Sequence, residues 1–156
     1  MKKKVRHGIA AVIFRKHKNK EPEFLILHRI KRWTGWELLK GGKNRKESTL
    51  TSLNREIREE IGAKKFKLIG RLPFDLKFKI PKKYTLEIGF TEVNLSAYLV
   101  EYNSKIDIHH NEVIEHDKYK WAKFKDAVKF LTYNDTKKEL KVAYSFMKKK
   151  KIFDIS

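Results

Sequence analysis

The chain has 156 residues and carries 38 lysine and arginine residues against 19 acidic residues, a formal charge of +19. This length suits one domain, residues 1–156, that can fold without disulfides or a structural metal. The sequence contains no cysteine, which excludes a disulfide framework, a thiolate nucleophile and a sulfur-bound zinc site. The positive charge predicts attraction to polyanions such as nucleotides or RNA, although a general lysine bias gives the same total.

The first segments of the chain indicate a strand and not a targeting sequence. Residues 1–6 are basic and residues 9–14 are apolar, but this run is too short for a signal peptide and has no small-residue cleavage site after it. No stretch approaches the length of a membrane span. We therefore expect a cytoplasmic protein without a membrane partner, monomeric or dimeric.

The next elements in chain order are two strands, a loop and a helix. Residues 7–14 and 24–28 are apolar, and the charged segment 15–23 predicts the turn between them. Residues 30–47 lose this periodicity and contain glycine, which predicts a long functional loop. Residues 48–61 have helical spacing, with an apolar stripe formed by Leu50, Leu53, Ile57 and Ile61.

The caps of this helix and the rest of the chain complete the predicted fold. Ser48 or Thr49 can cap the helix start, and Gly62 can end it. Further strands are predicted at residues 66–72, 84–90, 93–102 and 119–124, with Pro73 and Pro81 in turns, and helices at residues 125–131 and 136–147. The fold class is therefore α/β or α+β, with a mixed sheet between helices.

Three carboxylates share one face of the helix at residues 48–61. Glu56, Glu59 and Glu60 follow one another at i, i+3 and i+4, beside the apolar stripe and not within it. One interpretation is a solvated face on which Arg55 and Arg58 neutralise the negative charges. The other is a site for Mg²⁺ or Mn²⁺, because these hard cations prefer carboxylate oxygens.

The surroundings of these glutamates favour the metal site. Gly41 is followed after five residues by Glu47, and after seven more by the segment Arg-Glu-Ile-Arg-Glu-Glu-Ile-Gly-Ala at residues 55–63. This resembles the Nudix box, G-x5-E-x7-R-E-U-x-E-E-x-G-U, in which U is aliphatic or small, and every fixed position is met. The resemblance to the Nudix hydrolase family implies its fold, a mixed sheet between helices, and metal-dependent cleavage of a phosphoanhydride bond.

The same resemblance implies roles for the individual residues of the box. Glu56, Glu59 and Glu60 would be ligands of Mg²⁺ or Mn²⁺, and Glu59 or Glu60 would take the proton from the attacking water. Glu47 and Arg55 would orient these carboxylates. Such a site suits a pyrophosphate link, because hydrolysis of this dense anion needs charge neutralisation and an acidified water.

Two segments outside the box resemble one branch of the family, the diadenosine tetraphosphate hydrolases and RNA 5′-pyrophosphohydrolases. Residues 36–42 are similar to the W-x-F-P-K-G segment, with leucine at the phenylalanine and proline positions, and this implies that Lys40 and Gly41 contact substrate. Residues 115–121 are similar to E-H-x-x-Y-x-W, which makes Glu115 a fourth metal ligand. We expect His116 to be structural and Trp121 to lie in the core.

Aromatic residues are candidates for nucleobase binding. Tyr84 follows the lysine-rich segment 77–83, and it could stack on a purine. Trp33 and Phe78 have the same capacity. The alternative for all three is ordinary packing in the core or in loops.

Three functions remain open from the sequence. The leading prediction is hydrolysis of diadenosine tetraphosphate to ATP and AMP. The alternative is removal of pyrophosphate or a cap from RNA 5′ ends, for which the positive charge would supply affinity for the phosphate backbone. The third is a catalytically silent nucleotide-binding module, for which a broken box would be expected. The complete box favours an enzyme.

Overall fold

The computed structural model describes residues 2–17 and 20–153. Within these ranges the chain forms seven strands and four helices. In chain order they are β1 (Val5–His17), β2 (Lys20–Arg29), β3 (Gly35–Glu37), β4 (Leu39–Gly42), α1 (Thr49–Ile61), β5 (Lys67–Lys79), α2 (Lys82–Ile88), β6 (Glu92–Glu101), β7 (His116–Lys123), α3 (Phe124–Phe130) and α4 (Asn134–Lys149). The tip of the predicted turn between the first two strands, residues 18 and 19, lies outside the described residues.

The strands form one mixed sheet with β1 at its centre. The strand order is β3-β2-β1-β6-β5, while β4 also pairs with β1 and β7 also pairs with β2. β1 and β6 are parallel, and the other pairs are antiparallel. This topology confirms the predicted fold class.

Two apolar layers cover the sheet, because β1 is buried on both faces. Its alternating side chains divide between two clusters, Ala10, Val12 and Phe14 facing α3 and α4, and Ile9, Ala11 and Ile13 facing α1. A central strand that is covered on both faces has a continuous run of apolar residues in its sequence. This is the reason that residues 9–14 look like a short hydrophobic segment in the sequence.

Helix α1 begins and ends at the predicted residues. The Ser48 hydroxyl accepts a hydrogen bond from the Thr51 amide at 3.1 Å, and Gly62 adopts a left-handed φ of 72°. Its apolar stripe is buried at Leu53, Ile57 and Ile61. Leu50 is 49% exposed, so its place in the predicted stripe was wrong, because the first helical turn extends beyond the layer that covers the sheet.

The segment predicted as strand 84–90 is the short helix α2 instead. Thr85 is its buried residue, and Gly89 ends it with a φ of 83°. Most of its remaining side chains favour helix and face solvent, which leaves no alternating pattern to form a strand; these are Lys82, Lys83, Leu86 and Glu87.

Two predicted breaks in the sheet were also wrong. Pro73 lies inside β5 and not in a turn, near a register shift between Arg71 and Asp75 on this end strand of the sheet. Proline is tolerated at bulges and on edge strands. The predicted loop 30–47 contains β3 and β4, whose three and four residues are too short to show periodicity.

Among the described residues, no helix has both the length and the apolar character that crossing a bilayer requires.

Candidate active site

The carboxylate of Glu56 packs directly against the backbone of β4. A Cβ built on Gly41 would overlap the Glu56 carboxyl group. Strand β4 holds this position because Gly41 pairs with Ile9 of the central strand. Gly41 is therefore the residue that makes room for the first carboxylate of α1.

Arg55 joins the carboxylates of the box. Its guanidinium donates two hydrogen bonds to Glu47, at 2.7 and 2.9 Å, and one to the Gly42 carbonyl at 2.8 Å. One of its nitrogens also lies 2.8 Å from Glu56 and 3.2 Å from Glu59. This network fixes two carboxylates of α1 side by side and anchors them to the loop before the helix.

Glu60 lies at the end of a buried chain of charges. The His116 ring nitrogens lie 3.0 Å from Glu60 and 2.9 Å from Glu37. Burial alone would lower the His116 pKa, but these two carboxylates outweigh it and raise that pKa to about 9. Both nitrogens of the resulting imidazolium can donate. Glu60 is 8% exposed, because it packs against His116 beside the apolar stripe of α1.

Glu115, which directly precedes β7, lies close to Glu60 of α1. Together with Glu56, Glu59 and Glu60 it forms the group of acidic side chains called the carboxylate cluster below. One carboxylate oxygen from each of Glu60 and Glu115 and one ring nitrogen of His116 lie within 4.8 Å of one another. The Glu115 carbonyl accepts a hydrogen bond from the Ile30 amide at 2.9 Å, which ties this segment to the end of β2. The structure thus brings Glu115 to α1 from a position 55 residues further along the sequence than Glu60.

The electrostatics of the cluster suit a divalent cation. Burial raises the pKa of Glu56 to about 7, Arg55 opposes this shift, and the charges of Glu60 and Glu59 add to it. Burial also raises the Glu60 pKa, as does the neighbouring Glu115. Crowded, partly desolvated carboxylates are stabilised by a hard cation. The donor set of this site therefore fits Mg²⁺ or Mn²⁺.

A cationic groove of about 410 Å³ leads into the cluster. Glu56, Glu115 and Gly41 lie on its wall, and its basic lining residues are Arg6, Arg29, Arg32 and Lys40. An adjoining cavity of about 220 Å³ has aromatic walls formed by Trp33, Phe78 and Tyr133. Trp33, Phe78 and Lys40 line both spaces, so these side chains form a shared wall.

The predicted substrate residues occupy different positions relative to this groove. Lys40 is 12% exposed, and its Nζ lies 3.2 Å from Glu37 and over the rings of Trp33 and Phe78. Tyr84 is not among the residues that line the groove. Its hydroxyl donates to the Arg32 carbonyl, and its ring lies 5.9 Å from Trp33, so it supports the loop that carries them.

Glu37 is the main site residue that the sequence analysis missed. It is 1% exposed and contacts Arg29 at 3.3 Å, Lys40 at 3.2 Å and His116 at 2.9 Å. Burial would raise its pKa, but these three cations lower it to about 2. The sequence did contain one signal, the position of Glu37 between Trp36 and two leucines. A charged residue in an apolar segment indicates a buried charge, which requires charged partners.

This mixed-sheet architecture, with a carboxylate-rich helix at the head of a cationic groove, is that of a phosphoanhydride hydrolase. A family profile described as the NUDIX domain matches residues 4–144. The chain therefore belongs to the Nudix family and is a hydrolase of acid anhydrides, as the resemblance of its box predicted.

Several known proteins resemble the chain in sequence or in structure. A Nitratiruptor sp. protein named RNA pyrophosphohydrolase is 29% identical over 135 residues, which cover 85% of this chain and 86% of that protein. A Sulfurovum sp. protein of the same name is 27% identical over 151 residues, with coverages of 94% and 96%. The crystal structure of a C. elegans Ap4A hydrolase binary complex superposes with a TM-score of 0.74 at 20% identity, covering 94% of this chain and 98% of that one.

Proposed function

We propose that the protein hydrolyses a phosphoanhydride bond in the 5′-terminal triphosphate of RNA. The observation that carries this proposal is the groove, which four basic side chains line together with Glu56, Glu115 and Glu87, the last of these paired with Arg32 at 3.1 Å. A triphosphate at the end of a polymer is an extended anion, and it needs such a row of cations. The names of the two sequence relatives that span most of the chain support the same substrate.

The groove residues bind and orient the phosphates. Arg29 lies 3.3 Å from Glu37 and 3.8 Å from Glu115, so the carboxylates fix its guanidinium before substrate arrives. Lys40 is fixed by Glu37 in the same way. Arg6 rests against Gly42 and over the Phe90 ring, at 5.3 Å. Preorganised cations of this kind stabilise the charge that develops on transferring phosphoryl oxygens.

The carboxylates hold the metal and handle the proton. Glu56, Glu59, Glu60 and Glu115 are the proposed ligands, and Arg55 and Glu47 keep the first two in place. A divalent cation bound there supplies charge neutralisation and a water of lowered pKa. Attack of a water in line on a phosphorus would break the P–O bond of the anhydride, and inorganic phosphate or pyrophosphate would depart. We assign the proton to Glu59, because its side chain is 38% exposed and contacts Arg55 through one oxygen, whereas Glu60 is buried against His116.

A dinucleoside tetraphosphate is the second candidate substrate, and the sequence analysis ranked it first. The aromatic cavity beside the groove favours it, because Trp33, Phe78 and Tyr133 can enclose a nucleobase at the end of a short phosphate chain. The likeness to the C. elegans Ap4A hydrolase shows the fold that both substrates would use. We rank it second because the curated relatives are matched over most of the sequence.

A parallel assay separates the two substrates. RNA with a 5′-triphosphate and diadenosine tetraphosphate are each incubated with the protein and Mg²⁺ or Mn²⁺, with the Glu59→Gln variant as the inactive control. We expect release of phosphate or pyrophosphate from the RNA by the wild-type protein alone. Hydrolysis of the dinucleotide with complete indifference to the RNA would reject the first proposal in favour of the second.

A further inference from the structure

A row of aromatic and basic side chains crosses the sheet on the face opposite to the active site. Trp36 of β3 pairs with His28 of β2, which pairs in turn with Lys118 of β7. Lys120 lies two residues further along β7 and therefore on the same face. Phe130, at the end of α3, is 42% exposed and lies beside Trp36. These five residues are called the edge platform below.

The edge platform is an aromatic surface with lysine ammonium groups over its rings. The rings of Trp36 and Phe130 are 6.1 Å apart, and Lys120 Nζ lies 3.7 Å from the centre of the Phe130 ring. Lys118 Nζ lies 5.8 Å from Trp36. The acidic group next to this row, Asp117, is hydrogen-bonded to His28 at 2.7 Å. Among the described residues neither Lys118 nor Lys120 forms a salt bridge, although Lys118 adds to the positive charge that lowers the Asp117 pKa. Both lysines can therefore contact anions.

The edge platform is adjacent to the active site across strand β3. Successive residues of a strand point to opposite faces, so Trp36 lies on the platform and its neighbour Glu37 lies in the active site. The loop between α3 and α4 binds the other edge of β3, because Thr132 accepts a hydrogen bond from the Trp36 amide at 2.8 Å and donates one to the Trp36 carbonyl at 3.1 Å. A polymer with its 5′ end in the groove would therefore reach the platform by crossing this loop, past Tyr133 of the aromatic cavity, whose hydroxyl donates to the Thr34 carbonyl at 3.3 Å.

We propose that the edge platform binds the single-stranded body of RNA whose 5′ end occupies the groove. Aromatic side chains on the face of a sheet stack on unpaired bases, and flanking lysines contact the phosphates between them. A duplex offers no free base faces to such a surface, so the platform selects single strands. This inference rests on the proposed function, because it describes how that substrate is held.

The test uses a variant of the platform and two controls. The platform variant combines Phe130→Ala, Lys118→Ala and Lys120→Ala, none of which belongs to the groove or the carboxylate cluster. Phe130→Tyr keeps an aromatic face. The control variant Lys149→Ala with Lys150→Ala removes the same number of positive charges from the exposed C-terminal end of α4. This end lies roughly 24 Å from the start of the helix, at 1.5 Å per residue.

Binding is measured by fluorescence anisotropy with a single-stranded RNA of about 20 nucleotides that carries a 5′-hydroxyl. We expect the Kd of the platform variant to rise about tenfold, the effect of losing one stacked base. The slope of log Kd against log salt should fall by about 1.4, because each lost phosphate contact on a single strand contributes about 0.7. Phe130→Tyr should bind like the wild-type protein.

Kinetics on two substrates link binding to catalysis. The platform variant should show a raised KM with an unchanged kcat on triphosphorylated RNA, and wild-type kinetics on diadenosine tetraphosphate. An equal loss of RNA affinity in the Lys149 and Lys150 variant would show general charge attraction and overturn the inference, as would unchanged RNA binding by the platform variant.

The two proposals fail in different ways. RNA hydrolysis by the wild-type protein together with normal RNA binding by the platform variant rejects the platform alone. Platform-dependent binding of the 5′-hydroxyl RNA by a wild-type protein that never hydrolyses triphosphorylated RNA rejects the proposed substrate. In that case the surface still binds RNA.

Discussion

The Glu56 carboxylate occupies the space that a side chain on Gly41 would need. This contact couples strand β4 to helix α1 at the carboxylate cluster. We expect Gly41→Ala to displace Glu56 and to lower kcat about a hundredfold, since small misplacements at a reacting centre have effects of that size. Steady-state kinetics with saturating Mg²⁺ measure the effect. Gly70→Ala is the matched control, because nothing lies within 4 Å of a Cβ there, and an equal loss in both variants would contradict this reading.

Glu59 and Glu60 differ in what their replacement does to folding. Glu59→Gln should lower kcat about a thousandfold, the range of a lost general base, and change the free energy of unfolding by less than about 0.5 kcal/mol. Glu60→Gln should lose activity and also about 2 kcal/mol of stability, because it weakens a buried pair with His116. Urea denaturation monitors both proteins. Wild-type turnover in both variants would show that Glu59 and Glu60 do not belong to the catalytic site.

Glu37 should act as a structural anchor of the site. Glu37→Gln leaves Arg29, Lys40 and His116 without their shared anion and should lower the free energy of unfolding by about 3 kcal/mol. The pKa of His116 should fall from about 9. Denaturation and NMR titration of the metal-free protein report these two effects. A His116 pKa that stays the same in this variant would contradict the proposed charge chain.

A second buried carboxylate gives a prediction about pH. Glu139 of α4 is 0% exposed, neither of its oxygens has a hydrogen-bond partner within residues 2–17 and 20–153, and burial raises its pKa to about 8. Between pH 4.5 and 8 the unfolded chain ionises this group while the folded chain keeps it protonated, so its contribution to stability falls as pH rises. Glu139→Met should therefore stabilise the protein by about 2 kcal/mol at pH 8 and by less at pH 5.

Denaturation curves at the two pH values decide the Glu139 prediction. The exposed Glu112 provides the control, and Glu112→Gln should leave the pH dependence unchanged. An equal gain from Glu139→Met at both pH values would show a packing effect in place of a titration.

The parts of the molecule that could be predicted from sequence are those with local signals. Helix α1 has its caps, its spacing and its box within about twenty consecutive residues, and its bounds were correct to one residue. Strand β3 and helix α2 have three and seven residues, and so few positions do not define a periodicity. Their conformation depends on neighbours that are distant in the sequence.

The same distinction applies to the site residues. Glu56, Glu59 and Glu60 were proposed as ligands from the Nudix box, and Glu115 from a second motif. The role of Glu37 instead depends on His116, which is 79 residues away in the sequence. Lys40 was predicted to contact substrate, and its contact with Glu37 appears only when β3 and β4 are in place. Pairings of this kind arise from strand register, which no local pattern specifies.

The binding of a divalent cation by the carboxylates of α1 is the step on which the proposed catalysis depends. The direct measurement is anomalous diffraction at the manganese edge from crystals soaked in Mn²⁺. We expect at least one ion coordinated by carboxylate oxygens of Glu56, Glu59 and Glu60. An ion bound elsewhere, or no ion beside these three side chains in a protein that still cleaves its substrate, would contradict the proposed site.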